Sequence, residues 1–199
     1  MYGYAYLQFS HPSSLRWTVR TCILLSLDAT KVLKTALLRG INLIDSAPWY
    51  GHGESETYLG HALQGIPREA YYIATKVCRY NPKPRDMFDF SYDRVITSVD
   101  ESLKRLQLDY IDVLQIHDPE FSPSLDIIVK ETLPALEELR KRGKIRFIGI
   151  TGYPLGAQKY IIDNCPKDVT IDTSLVYGHY SLNDSTLVSS GFLRMLEER

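Results

Sequence analysis

Short apolar runs recur along this chain, and each ends on a chemically active side chain. The runs Ile41 to Ile44, Tyr71 to Ala74, Ile111 to Ile116 and Ile145 to Ile150 are too brief for helices and rich in residues that suit buried parallel strands. They end at Asp45, Lys76, His117 and Thr151, so successive ends are 31, 41 and 34 residues apart. A fifth run, Val169 to Val176, leads into Tyr177, His179 and Tyr180. Between the runs lie segments with helical periodicity. Val32, Leu33, Ala36 and Leu37 precede Gly40, and a helix is predicted from about Ser55 to Gln64. Val95, Val99, Leu103 and Leu106 form a third stripe behind Ser91 as a cap. Further helices are predicted from Ser124 to Arg142, from Ala157 to Asn164 and from Phe192 to Leu196.

Strand and helix in strict alternation argue for a parallel sheet with helical crossovers. A (β/α)8 barrel of about 250 residues spends roughly 31 residues per unit. The observed steps fit such units without excluding a doubly wound sheet. A dinucleotide-binding doubly wound fold should show G-x-G-x-x-G after a strand. Gly51-His52-Gly53 begins that pattern, but Glu56 stands where the third glycine belongs, and a carboxylate there repels a pyrophosphate. No G-x-x-x-x-G-K-[ST] loop and no H-E-x-x-H occurs.

Composition limits the partners. The net charge of −1 gives no electrostatic reason to bind nucleic acid or a membrane surface. No apolar run reaches the roughly 20 residues that span a bilayer. Cys22, Cys78 and Cys165 are odd in number and widely spaced, which fits reduced thiols in a cytoplasmic protein and no metal site. Residues 1–27 give neither a clean strand nor a clean helix and remain an unplaced segment.

In a barrel all strand carboxyl ends meet at one mouth. Asp45, Lys76 and His117 would converge there, with Tyr50 in the loop after the first strand. Each has an ordinary structural explanation alone; their arrival at successive strand ends does not. A phenol with pKa of about 10 is a poor acid or base near neutrality. An adjacent ammonium, held by Asp45, is expected to lower it. A neutral His117 would orient a carbonyl oxygen. None of these groups carries a hydride, so redox chemistry would need a nicotinamide cofactor.

From about Thr30 onward the chain resembles the aldo-keto reductases. The stretch GINLIDSAPWYGHGESETYLG resembles their first signature, with Asp45 and Tyr50 at catalytic positions. ATK ending at Lys76, LQIH ending at His117, and GKIRFIGITGYPL resemble three further segments. YYIATKVCRY, GITGYPL and GHYSLND look closest to the L-galactose and D-arabinose (aldose 1-) dehydrogenase branch. The resemblance implies a (β/α)8 TIM barrel, NADP or NAD as cofactor, and a small carbonyl or sugar substrate. It implies catalytic Asp45, Tyr50, Lys76 and His117, with Asp45, Thr151 and Gly152 at the cofactor. Trp49, His117 and Tyr180 become candidate walls of the substrate pocket.

Two departures accompany the resemblance. Thr151-Gly152 stand where many members have Ser-Asn gripping the nicotinamide carboxamide, and Leu175 stands where many have Gln. Only strands two to six of eight are recognisable, within residues 28–199. The expectation is an incomplete barrel: an open sheet with helices on its outer face and exposed edges, short of independent stability. A catalytically idle fragment or a regulatory relative is the alternative.

Overall fold

A computed structural model describes residues 30–198, so expectations for residues 1–27 lie outside the described part. The described part opens with helix α1, residues 30–38, and turns at Gly40, whose φ of 87° lies in the left-handed region that glycine enters without a Cβ clash. Strand β1 is Leu43–Asp45, followed by helix α2, Glu54–Ala62. Strand β2, Tyr72–Val77, and helix α3, Tyr92–Leu106, form the next unit. Strand β3, Ile111–His117, is followed by α4, Leu125–Ile127, a π turn over Ile128–Thr132, and α5, Leu133–Lys141. Strand β4, Ile145–Gly152, leads to α6, Leu155–Asp163, and strand β5, Thr173–Val176, leads to α7, Thr186–Ser189, and α8, Phe192–Glu197.

The five strands form one sheet in the order β1-β2-β3-β4-β5, and every pairing is parallel. That order never reverses. Right-handed crossovers that always step the same way place their helices on one face, whereas a doubly wound sheet reverses and uses both faces. The barrel-type alternative is therefore the one the chain adopts, as an open half-barrel.

Burial agrees with one-sided packing. Ile73, Leu114, Ile116, Ile148 and Ile150 are fully buried, together with Val95, Val99 and Leu106 of α3 and Leu133, Leu136 and Leu139 of α5. On the other face, Tyr72 and Phe147 keep 44% and 37% of their surface exposed. Neighbouring strand residues alternate between faces, so the helix side is a core and the inner side is open.

One buried carboxylate fastens the helix layer. Glu56 of α2 is fully buried; it accepts from Thr75 Oγ1 at 2.5 Å, from Ser102 Oγ at 3.2 Å and from Arg105 Nε at 2.8 Å. It links α2, β2 and α3. Glu56, Gly60 and Leu63 share the helix face that is buried. At the opposite end of β3, Asp112 is fully buried against Arg68 at 2.5 Å, Arg146 at 3.0 Å and the Ile73 N–H at 2.9 Å.

Most predicted boundaries hold within two residues. The exceptions are β5, expected from Val169 but regular only from Thr173, and α7, which was not anticipated.

Candidate active site

The register of the sheet arranges the strand ends. Asp45 lies level with Ala74, Lys76 with Gln115, and His117 with Thr151. Residues two apart share a face, so Asp45, Lys76 and His117 climb the inner face in successive layers, one strand at a time. Lys76 is 2% exposed, and its Nζ donates to Asp45 Oδ2 at 2.7 Å and to the Ser46 carbonyl at 2.7 Å. Gln115 Nε2 donates to the other Asp45 oxygen at 3.0 Å. Its side chain reaches over β2, and on the other side of β3 Gly149 gives it room: a Cβ on Gly149 would come within 2.9 Å of Gln115 Cγ.

Tyr50 is set by a tight turn. Its N–H donates to the Ala47 carbonyl at 3.0 Å, and the next three residues, Gly51, His52 and Gly53, all have positive φ. Two glycines make such a reversal accessible directly before α2. The turn lays the Tyr50 ring beside Lys76 Nζ, 4.8 Å from its centroid, and edge-on to His117 at 6.2 Å between centroids. The four residues expected at the mouth are thus brought together on one face.

The electrostatics differ from expectation at Tyr50. Its pKa is pushed up to about 12, first by burial and then by the negative charges of Asp45 and Asp118, with Arg79 opposing. The expected lowering does not result, because burial of the phenol, which disfavours its charged form, and the nearby carboxylates outweigh it. Burial also holds Lys76 below the ordinary lysine range, against the pull of Asp45. His117 is lowered to about 3 by burial and by the charges of Lys76 and Arg79, so it is neutral as expected. Its Nδ1 is buried and has no hydrogen-bond partner among the described residues.

Thr151 is 6% exposed and lies opposite His117. A Cβ on Gly152 would fall 2.6 Å from Glu120 Oε2. Trp49 is half-buried under the Arg79 guanidinium, whose Cζ is 4.1 Å from the ring centroid. Tyr180 lies in the segment after β5 and is 74% exposed. Tyr177 instead packs on Tyr153, with centroids 4.8 Å apart. A hollow of about 210 Å³ lined by Leu63, Arg68, Tyr71, Gln107 and Tyr110 lies at the opposite strand ends and holds none of the tetrad.

Sequence reading missed Gln115, Arg79 and Asp118. Gln115 had a signal, since it shares a strand face with His117 two residues later. Asp118 and Arg79 had none beyond proximity to His117 and Lys76 in the chain.

Comparison with known proteins agrees with this geometry. The model of the aldo/keto reductase family matches residues 26–199. The chain is 50% identical over 163 residues to L-galactose dehydrogenase of Arabidopsis thaliana, covering 81% of this chain and 49% of that protein. It is 34% identical over 172 residues to D-arabinose 1-dehydrogenase of Saccharomyces cerevisiae, covering 82% and 49%. Among solved structures, a thermostable aldo-keto reductase bound to the inhibitor epalrestat superposes with a TM-score of 0.71 at 29% identity, covering 87% of this chain and 57% of that one. The holo form of aldo-keto reductase AKR11C1 from Bacillus halodurans gives 0.66 at 31% identity, covering 76% and 48%. The chain spans about half the length of the curated relatives it matches. With a one-directional parallel sheet, an Asp-Tyr-Lys-His cluster at its carboxyl ends and a family match over 174 residues, this chain belongs to the aldo/keto reductase family.

Proposed function

We propose that this chain carries the catalytic face of an NAD(P)-dependent oxidoreductase acting on the aldehyde or hemiacetal carbon of an aldose sugar or a related carbonyl. The observation that carries the reading is a protonated phenol, Tyr50, flanked by the Lys76–Asp45 pair and a neutral His117. The names of the relatives, L-galactose dehydrogenase and D-arabinose 1-dehydrogenase, support the sugar class.

In reduction, Tyr50 holds the proton that a carbonyl oxygen needs as its carbon becomes tetrahedral. A phenol pushed up to about 12 keeps that proton at neutral pH. Lys76, fixed by Asp45 and the Ser46 carbonyl, stabilises negative charge developing at the phenol oxygen. His117 presents a neutral imidazole to the substrate oxygen and orients it. In oxidation the same phenol accepts the proton. Trp49, His117 and Tyr180 are assigned to the substrate wall.

A bound nicotinamide supplies or takes the hydride. The donor and acceptor set at the end of β4 fits one. Thr151 offers a hydroxyl, and Glu120 Oε2 is buried with no hydrogen-bond partner among the described residues. A carboxamide, which both donates and accepts, suits the Thr151 hydroxyl, which does the same. Asp45, Thr151 and Gly152 are assigned to the cofactor side, for NADP or NAD.

The test is Tyr50→Phe. Turnover should fall at least a hundredfold, within the range that positioned acid–base catalysis contributes, with an unchanged circular dichroism spectrum. Retained turnover would overturn the assignment. The open inner face, with Tyr72 and Phe147 exposed, favours a second reading in which the tetrad is inherited but idle. Titration with NADPH separates the two: saturable quenching of tryptophan fluorescence supports the enzyme, and none supports the idle fragment.

A further inference from the structure

Beside the tetrad stands a second polar pair that the proposed chemistry leaves unused. Arg79 follows β2 by two residues and opens a hairpin: it bridges to Phe88, Tyr80 N–H donates to the Met87 carbonyl at 2.8 Å, and Asp89 N–H donates to the Cys78 carbonyl at 3.0 Å. The guanidinium lies over two rings, 4.1 Å from the Trp49 centroid and 5.5 Å from that of Phe88. Its Nη1 donates to Asp118 Oδ2 at 2.6 Å.

Asp118 follows His117 directly. It adopts φ 51°, a left-handed conformation that Asp tolerates better than most residues. Its N–H donates to the Thr151 carbonyl at 2.8 Å, and its carboxylate lies 3.6 Å from His117 Nε2. Because His117 is neutral, that approach is no ion pair. Asp118 is 5% exposed as a residue, and Arg79 retains a quarter of its side-chain surface.

Arg79 Nε is buried with no hydrogen-bond partner among the described residues, as is Arg68 Nε in its clasp on Asp112; what sets the Arg79–Asp118 pair apart is its place beside His117 and Trp49. A buried donor left unsatisfied is destabilising. A planar cation and a carboxylate, held rigid against an aromatic ring, form a donor and acceptor couple suited to a compound that both gives and takes hydrogen bonds. Hydroxyls do both, and the C–H face of a sugar packs on an indole.

We infer that Arg79 and Asp118, backed by Trp49, form a hydroxyl-recognising subsite next to Tyr50 and His117 that selects polyhydroxylated carbonyls over unsubstituted ones. Arg79 donates to a substrate hydroxyl oxygen, and Asp118 accepts from a hydroxyl hydrogen. The inference rests on the oxidoreductase reading and names what sets its substrate preference. A site built to hydrogen-bond a hydroxyl rejects the analogue lacking it, because its own polar groups are then left unpaired.

The experiment compares glyceraldehyde with propanal, aldehydes of equal carbon count that differ in their hydroxyls, each reduced with NADPH or NADH. The reduction forms one C–H bond from the cofactor hydride and one O–H bond from the Tyr50 proton as the carbonyl π bond breaks. The readout is the ratio of kcat/KM for glyceraldehyde to that for propanal. In Arg79→Met, which keeps an unbranched apolar stem beside the two rings, the ratio should fall at least tenfold. Asp118→Asn, nearly isosteric, should lower it in the same direction, with folding of both variants checked by circular dichroism. Equal proportional losses on both aldehydes, leaving the ratio unchanged in both variants, would overturn the subsite while the oxidoreductase reading stands. Absence of turnover of either aldehyde by the unmodified protein would overturn that reading and the subsite with it.

Discussion

Lys76 Nζ sits 2.7 Å from Asp45 Oδ2, joining the ends of β1 and β2 across the inner face. The two partners are unequal: the Lys76 side chain is 3% exposed and that of Asp45 is 22% exposed. A charge removed from water depends on its partner in proportion to how completely it has been removed.

That inequality predicts an asymmetric response to mutation. Asp45→Asn leaves a buried ammonium facing only the Ser46 carbonyl and a neutral amide. Breaking a buried pair in this way costs roughly 3–5 kcal/mol. Lys76→Met leaves the carboxylate, which still reaches solvent and Gln115, and is expected to cost less. Urea unfolding of the two variants measures the order; a larger loss for Lys76→Met would contradict it. Both should lose turnover.

His117 predicts a pH dependence of stability. Its folded pKa of about 3 lies below the unfolded value near 6.5. Between those values the unfolded chain binds a proton that the folded chain does not. Stability therefore rises with pH through this window and falls as pH drops from about 6.5. From pH 6.5 to 5, above the range where the carboxylates titrate, His117 should cost about 2 kcal/mol. His117→Gln should flatten the slope of the urea midpoint over that interval. An unchanged slope would show that the imidazole is not held neutral.

Gly60 predicts a packing limit. A Cβ there would lie 2.3 Å from the Arg105 carbonyl oxygen and 2.9 Å from Leu106 C, both backbone of α3. Neither atom can move without shifting the helix. Gly60→Ala gains a little helix propensity but forces α2 and α3 apart, with a net cost of roughly 1–3 kcal/mol. Glu56 and Arg105 would be drawn apart with them. Thermal melts of Gly60→Ala and of Gly156→Ala, where nothing stands within 4 Å, make the comparison. Equal melting points would refute the close approach.

Much of the site was legible because backbone periodicity controls it. Strand ends are visible as the last residue of an apolar run, and a parallel sheet brings those ends to one side. Asp45, Lys76 and His117 needed no further information. Tyr50 needed only the glycine-rich turn that follows it. The resemblance then supplied a role for each.

Side-chain pairing across the sheet was not legible in this way. Gln115 reaches Asp45 past an intervening strand, and the pairing depends on register and on Gly149 having no side chain. Glu56 reads as a polar helix residue until Arg105 is brought against it from a helix more than 40 residues later. The Tyr50 shift was expected with the wrong sign, since the sequence shows a lysine nearby but hides how deeply the phenol is buried.

By itself the sequence determined the alternation of strands and helices, the positions where the strands end and the chemical kinds found there. These follow from local spacing, which is written along the chain. Spacing alone left a doubly wound sheet open, and the family resemblance pointed to helices on one face, as the strand order bears out. Only the tertiary structure decided that the Tyr50 pKa is raised and that Arg79 and Asp118 stand beside the tetrad. Those depend on register, burial and the sum of nearby charges, which arise only when distant segments meet.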